Sequence, residues 1–137
     1  MNIEQKIMNY KSELDFFEDT MDKYKYLLDQ GKKAPVFPEE FRQKNFLVKG
    51  CQAQVWLVPK FKNNIISFLS DSDAFISKGM VTILCDIYGN ENPKEILESD
   101  FEKLKILGLD NILTPSRRNG VYSMLEYIKK YADDSVN

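Results

Sequence analysis

The chain has two cysteines, Cys51 and Cys85, and no histidine. Without an imidazole, Ser-His-Asp and Cys-His catalysis in their usual forms are excluded. So are His-containing zinc sites and proton shuttles centred near neutral pH. Two thiols alone cannot supply a Cys₄ zinc site or hold an iron–sulfur cluster, and they are not spaced as a C-x-x-C redox pair. If this chain does covalent chemistry, one thiol is the obvious candidate.

Cys51 stands in Val48-Lys49-Gly50-Cys51-Gln52-Ala53-Gln54-Val55-Trp56. It follows a glycine and lies between two strand signals, a place that reads as a loop tip on a rigid scaffold. The thiolate is the attacking form, and a free thiol is only a few per cent ionised at about pH 7, so a cation such as Lys49 favours reactivity. The same residue type is also among the most buried, which leaves a small packed side chain as the other reading. Cys85 is spaced with Val81 and Tyr88 on the most apolar helical segment and reads as core packing.

Two further clusters carry charge. Asp71-Ser72-Asp73 offers two carboxylates, too few oxygens for a hard-cation site, and reads better as a helix cap. Thr114-Pro115-Ser116-Arg117-Arg118-Asn119-Gly120 places two arginines where a helix favours acids. A partner contact would explain them, and so would ordinary solvation. Gly120 inside a helix implies close backbone packing or a needed gap. The glycines form no phosphate-cradling motif.

The elements that must position these residues are legible from period. Ile3, Ile7, Tyr10, Leu14, Phe17, Met21, Tyr24 and Leu28 form a helical stripe, one helix or two with the break at Glu18-Asp19-Thr20, and Gly31 reads as its stop. A proline-bearing connector, residues 32–40, follows. The period then changes to two. Gln54–Val58 and Ile65–Leu69 form a hairpin whose Asn63-Asn64 suits a turn with positive φ, and Phe46–Val48 is a candidate third strand. Ser72 or Asp73 can cap a buried central helix carrying Ala74, Phe75, Ile76, Met80, Val81, Ile83, Leu84 and Ile87. Asn92-Pro93-Lys94-Glu95 opens a short helix, Ser99-Asp100-Phe101-Glu102 caps another that Gly108 stops, and Thr114-Pro115 opens the last, whose tail from Asp133 should fray. The order predicts an α+β fold, a small antiparallel β-sheet covered by helices.

Composition sets the frame. At 137 residues the chain reads as a single domain, 1–137, since domains run to about 100–200 residues. With 43% hydrophobic and 29% charged residues it has enough apolar surface for a core, so wholesale disorder is excluded. A net charge of −2 argues against nucleic acid, which wants a basic excess. No apolar run approaches the ~18–20 residues of a membrane span. The amino terminus carries acids and no apolar core, so a cytoplasmic chain is expected.

The residues around Cys51 resemble the signature of the SufE family, the sulfur acceptors of cysteine desulfurases. Further blocks agree in order: Tyr24, Leu27 and Gly31; Asp71-Ser72-Asp73-Ala74 with Gly79; Tyr88-Gly89 with Pro93 and Glu95; Leu107-Gly108-Leu109; and Leu113-Thr114-Pro115-Ser116-Arg117 with Asn119-Gly120. The resemblance runs from about Leu14 to Tyr131, and Ala53 stands where many members have Ser. It implies a fold like the iron–sulfur scaffolds of the IscU type, with helices on one face of the sheet and the acceptor cysteine in a loop at its edge. It implies that Cys51 takes persulfide sulfur from a SufS-like desulfurase, which uses pyridoxal phosphate, and passes it to a scaffold for iron–sulfur cluster assembly. Unloading would also raise the desulfurase's turnover. Lys49, Gly50, Gln52, Asp73 and Arg117 would meet the partner, whereas Arg118 falls at a variable position of the family and is not carried over. No cofactor or metal is expected on this chain. Two other readings remain beside it: a protein-binding module with a structural Cys51, and a redox-sensing thiol, which needs a resolving cysteine nearby.

Overall fold

In the computed structural model, which describes residues 1–136, the amino-terminal stripe divides into α1 (Ile3–Asp15) and α2 (Thr20–Lys32). Asn2 and Gln5 form a capping box on α1, and Asp19 accepts from the Met21 N–H to open α2. Gly31 does not stop α2. It is buried in the last turn, where α2 crosses α3 (Phe75–Tyr88). A Cβ on Gly31 would stand 3.0 Å from the backbone nitrogen of Gly79, and one on Gly79 would stand 2.1 Å from the carbonyl oxygen of Leu27. The two glycines let two helix backbones touch, so this glycine serves packing rather than termination.

β1 (Val55–Lys62) and β2 (Ile65–Ser72) pair antiparallel, with Val55 opposite Ser72 and Lys62 opposite Ile65. Asn63 and Asn64 take φ of 54° and 64°, the left-handed pair of a tight hairpin turn. Alternation sorts the strand faces. Val55, Leu57 and Ile66 join the main core, whereas Trp56 and Val58 form a second cluster with Phe37. The connector covers that second face. Two 3-10 turns at its end and just beyond it, Glu39–Phe41 and Lys44–Phe46, bring Phe41 and Phe46 onto the cluster. The Arg42 guanidinium lies 5.1 Å from the Phe37 ring centre and 4.9 Å from that of Trp56, and donates to Asp71 at 2.6 Å. Phe46–Val48 is not a third strand. Leu47 makes one bridge to Trp56, after which the chain turns at Gly50, whose φ is +96°.

α3 is the buried centre, with Val81, Ile83, Leu84, Ile87 and Tyr88 almost wholly covered. Two of its residues depart from expectation. Phe75 is 83% exposed, because it is the first helical residue and stands outside the face that α2 and the hairpin cover. Cys85 is half-buried, packed on the core by one side and lining a surface cavity beside Tyr10, Gln30, Phe68 and Ser70 by the other.

Asn92 caps α4 (Pro93–Glu98) as expected. The next helix is a 3-10 helix, Phe101–Leu107, capped by Asp100 rather than Ser99, and Gly108 ends it at φ +69°. α5 (Pro115–Val136) stays helical through its tail, where Ala132 is still buried, and Asn137 lies outside the described residues. The result is an α+β fold, a two-stranded antiparallel sheet with helices on one face and the connector on the other.

Candidate functional site

The Cys51 loop, residues 49–54, springs from one pinched base. The Val48 N–H donates to the Val55 carbonyl at 2.8 Å. At its far end the Gln54 N–H donates to Asp73 Oδ1 at 2.9 Å, and the Ser72 hydroxyl donates to the Gln54 carbonyl at 2.7 Å. Asp73 therefore holds the loop instead of capping α3, whose N-cap is Ala74 with no side-chain bond. Asp71 does not assemble with it into a cation site. Its oxygens face Arg42 at 2.6 Å and Lys78 at 3.5 Å. Burial alone would raise the Asp71 carboxyl, but the Arg42 bond, the Ser72 backbone and Lys78 hold it below the usual carboxylate range. Among the described residues no group of three or more Cys, Asp or Glu stands together for a metal.

The near side of the loop lies along the amino-terminal half of α5. The Lys49 N–H donates to the Tyr127 hydroxyl at 3.2 Å. Gly50 backs onto Ser123, so that a Cβ there would sit 2.4 Å from the serine hydroxyl oxygen and in a left-handed conformation besides. The Cys51 thiol donates to the Gly120 carbonyl at 3.5 Å. Gly120, Ser123 and Tyr127 are three and four residues apart, so one face of α5 carries all three contacts. A Cβ on Gly120 would touch the sulfur at 3.5 Å, so the glycine keeps that side of the thiol open.

The electrostatics differ from the expectation. Burial pushes the Cys51 thiol up, and the opposing charge is Arg117, not Lys49, whose side chain is exposed. Arg117 reaches the loop from the first turn of α5 and donates to the Ser77 hydroxyl at 3.1 Å. Among the described residues it has no carboxylate partner, while Arg118 faces Asp110 at 3.4 Å. The structure thus gathers Gly50, Cys51, Asp73 and Arg117 around one loop, with Lys49 and Gln52 exposed on it. Ser77, Ser123 and Tyr127 were not legible as part of the site. The one signal the sequence holds for Ser123 and Tyr127 is their spacing, three and then four residues on from Gly120 along one helix face.

Cys85 belongs elsewhere. Burial pushes its thiol up to about 12, and its cavity shares no residue with the surroundings of Cys51. A resolving role for it gains no support.

Two expectations follow from this geometry. Tyr127→Phe removes one loop hydrogen bond, worth about 0.5–1.5 kcal/mol. Alkylation of Cys51 by iodoacetamide should quicken roughly two- to tenfold as the loop opens more often, and an unchanged rate would show that Tyr127 does not hold it. Arg117→Leu removes the charge that favours the thiolate, so the thiol titrates at still higher pH. Its alkylation curve should move to higher pH with the same plateau, and a curve that stays put would exclude this role.

The comparisons agree with one another. The SufE family model, described as an Fe-S metabolism associated domain, matches residues 8–132. A cysteine desulfuration protein SufE of Wigglesworthia glossinidia brevipalpis is 35% identical over 134 residues, 96% of this chain and 93% of that one. An uncharacterised SufE-like protein of Rhizobium etli is 38% identical over 122 residues, 85% of this chain and 82% of its own length. The solution structure of a hypothetical protein from Thermus thermophilus superposes with a TM-score of 0.76 at 18% identity, over 98% of this chain and 95% of that one, which speaks to the fold. With its family match covering nearly the whole length and a full-length relative above 30% identity, the chain belongs to the SufE family.

Proposed function

We propose that the chain works as one sulfur-acceptor domain, residues 1–137, for a cysteine desulfurase of the SufS-like kind. Cys51 accepts the sulfur, unloading raises the desulfurase's turnover, and the sulfur passes on to an iron–sulfur scaffold in the cytoplasm. What supports this reading most is the seating of Cys51: a half-buried thiol on the first turns of α5, against the Gly120 carbonyl and within the field of Arg117.

The step balances without a cofactor on this chain. The Cys51 thiol gives its proton to solvent. Its thiolate attacks the outer sulfur of a persulfide on the donor, one S–S bond forms and one breaks, and the donor cysteine leaves as a thiolate. The sulfur moves with its oxidation level unchanged. The half-buried seat suits both ends of the step. It keeps most of the thiol protonated and sheltered at rest, and Arg117 supports the anion when the loop is engaged. Lys49, Gly50 and Gln52 on the loop, with Asp73 and Arg117 beside it, form the surface that meets the donor.

The test is intact-protein mass after mixing with a cognate desulfurase and free cysteine, without reductant. One or more added sulfur atoms, released by dithiothreitol, are expected. No added sulfur, with the desulfurase shown to be loaded and active, would turn the assignment to a protein-binding module with a structural Cys51.

A further inference from the structure

Phe75 is an exposed aromatic two residues along the chain from Asp73, which holds the loop. It is 83% exposed, although it opens the most apolar helix of the chain. It borders a surface groove with Tyr24, Leu28, Ala74, Ile76 and Arg117, and the groove's floor is apolar. Two links tie the groove to the loop. Arg117 lines it and also acts on the Cys51 thiol. Asp73, two residues before Phe75, is bonded to Gln54 of the loop.

The groove's charge is specific. Lys25, Lys32 and Arg117 stand on its rim against Asp29 alone. Lys32 pairs with Asp29 at 3.3 Å, which leaves Lys25 and Arg117 without a carboxylate among the described residues. A net negative chain therefore carries a positive, apolar recess next to its candidate acceptor loop.

We propose that this groove is a docking site for the sulfur-donor protein, with Phe75 as its apolar anchor; the inference rests on the acceptor function above. Area carries the step from neighbourhood to contact. A stable protein interface covers roughly 800 Å² on each partner, a patch of roughly 16 Å radius. A donor that brings a persulfide sulfur to bonding distance of Cys51 covers Arg117, and with it the groove that Arg117 lines. The occupant is a donor segment presenting an apolar side chain beside a carboxylate. The apolar group meets Phe75, Tyr24 and Leu28, and the acid meets Lys25 on the rim. Exposed aromatics in such positions act as anchors.

The test measures desulfurase turnover against the concentration of wild type, Phe75→Asp and Lys25→Glu. The enzyme is a desulfurase that loads the wild-type protein. Phe75→Asp should raise the half-saturating concentration tenfold or more and leave the ceiling rate unchanged. Lys25→Glu should raise it by a smaller factor. Loading of Cys51 by inorganic polysulfide and its alkylation by iodoacetamide should not change in either variant, since neither residue touches the loop. Folding is checked by thermal melting, and an exposed side chain gives little reason for loss. Half-saturation unchanged in Phe75→Asp, with wild type loaded, overturns the docking site alone. A wild type that no desulfurase loads overturns the acceptor reading and this inference with it. Self-association that vanishes in Phe75→Asp while half-saturation stays fixed would assign the groove to a second copy of the chain and overturn the proposal.

Discussion

Cys51→Ser should fold normally and lose sulfur acceptance outright. Serine differs from cysteine by one atom, and the Gly120 carbonyl that accepts from the thiol can accept from a hydroxyl instead. The site is half-buried, so the exchange should cost less than about 1 kcal/mol, an ordinary small substitution. Chemistry is another matter. A serine hydroxyl is not appreciably ionised in water and has no pathway to a stable persulfide. Desulfurase mixed with this variant and cysteine should leave its mass unchanged, while wild type gains sulfur. Binding should survive, because Phe75, Lys25 and Arg117 are untouched, and the variant should compete with wild type for the enzyme. A variant that retained full stimulation of sulfur release would move the function away from Cys51. One that lost binding as well would mean that the thiol contributes to docking rather than to transfer alone.

The structure also says which parts of this site a sequence can show. Phe46–Val48 makes only one bridge, but the strand period after Cys51 marked the hairpin that follows it, and Asn63-Asn64 gave the hairpin turn its chemistry. Those features are local, and local rules determined them. The partners of the loop were not legible because they come from distant parts of the chain. Asp73 has the profile of a helix cap, yet its carboxylate accepts from the Gln54 N–H and, among the described residues, no side chain caps α3. Lys49 has the charge to favour a thiolate two residues away, but it is exposed, and Arg117 from α5 supplies the field. Phe75 has the hydropathy of a core residue and stands exposed at the start of α3, beside the buried Ile76 and Ser77. In each case residue type announced a capacity, and tertiary packing chose its use. Gly31 shows the same division within the fold, since a glycine near a helix end has two uses and only the neighbouring helix decides between them.

Gly79→Ala is expected to be among the most damaging small substitutions in the chain. Gly79 is buried in α3, and the added carbon would stand 2.1 Å from the Leu27 carbonyl oxygen and 2.9 Å from its carbon. Those atoms are backbone, so no rotamer change relieves the overlap. α2 must move away from α3, and Leu27, fully buried between them, must lose contacts with it. Overpacking of this kind costs about 1–3 kcal/mol, and more where the obstacle is rigid. For a domain of this size that predicts a melting temperature lower by roughly 10 °C. Gly108→Ala is the internal comparison. Its left-handed φ of +69° carries strain of about 1–2 kcal/mol, but no atom lies within 4 Å, so its melting point should fall less. The consequence reaches the site, because the groove is walled by α2 and the start of α3, and Ser77 of α3 accepts from Arg117. Separating the two helices should therefore weaken desulfurase stimulation at temperatures where the variant is still folded, through a higher half-saturating concentration rather than a lower ceiling. A Gly79→Ala protein that melts with wild type would show that α2 yields freely, and the close approach of the two helices would then carry little of the fold's stability.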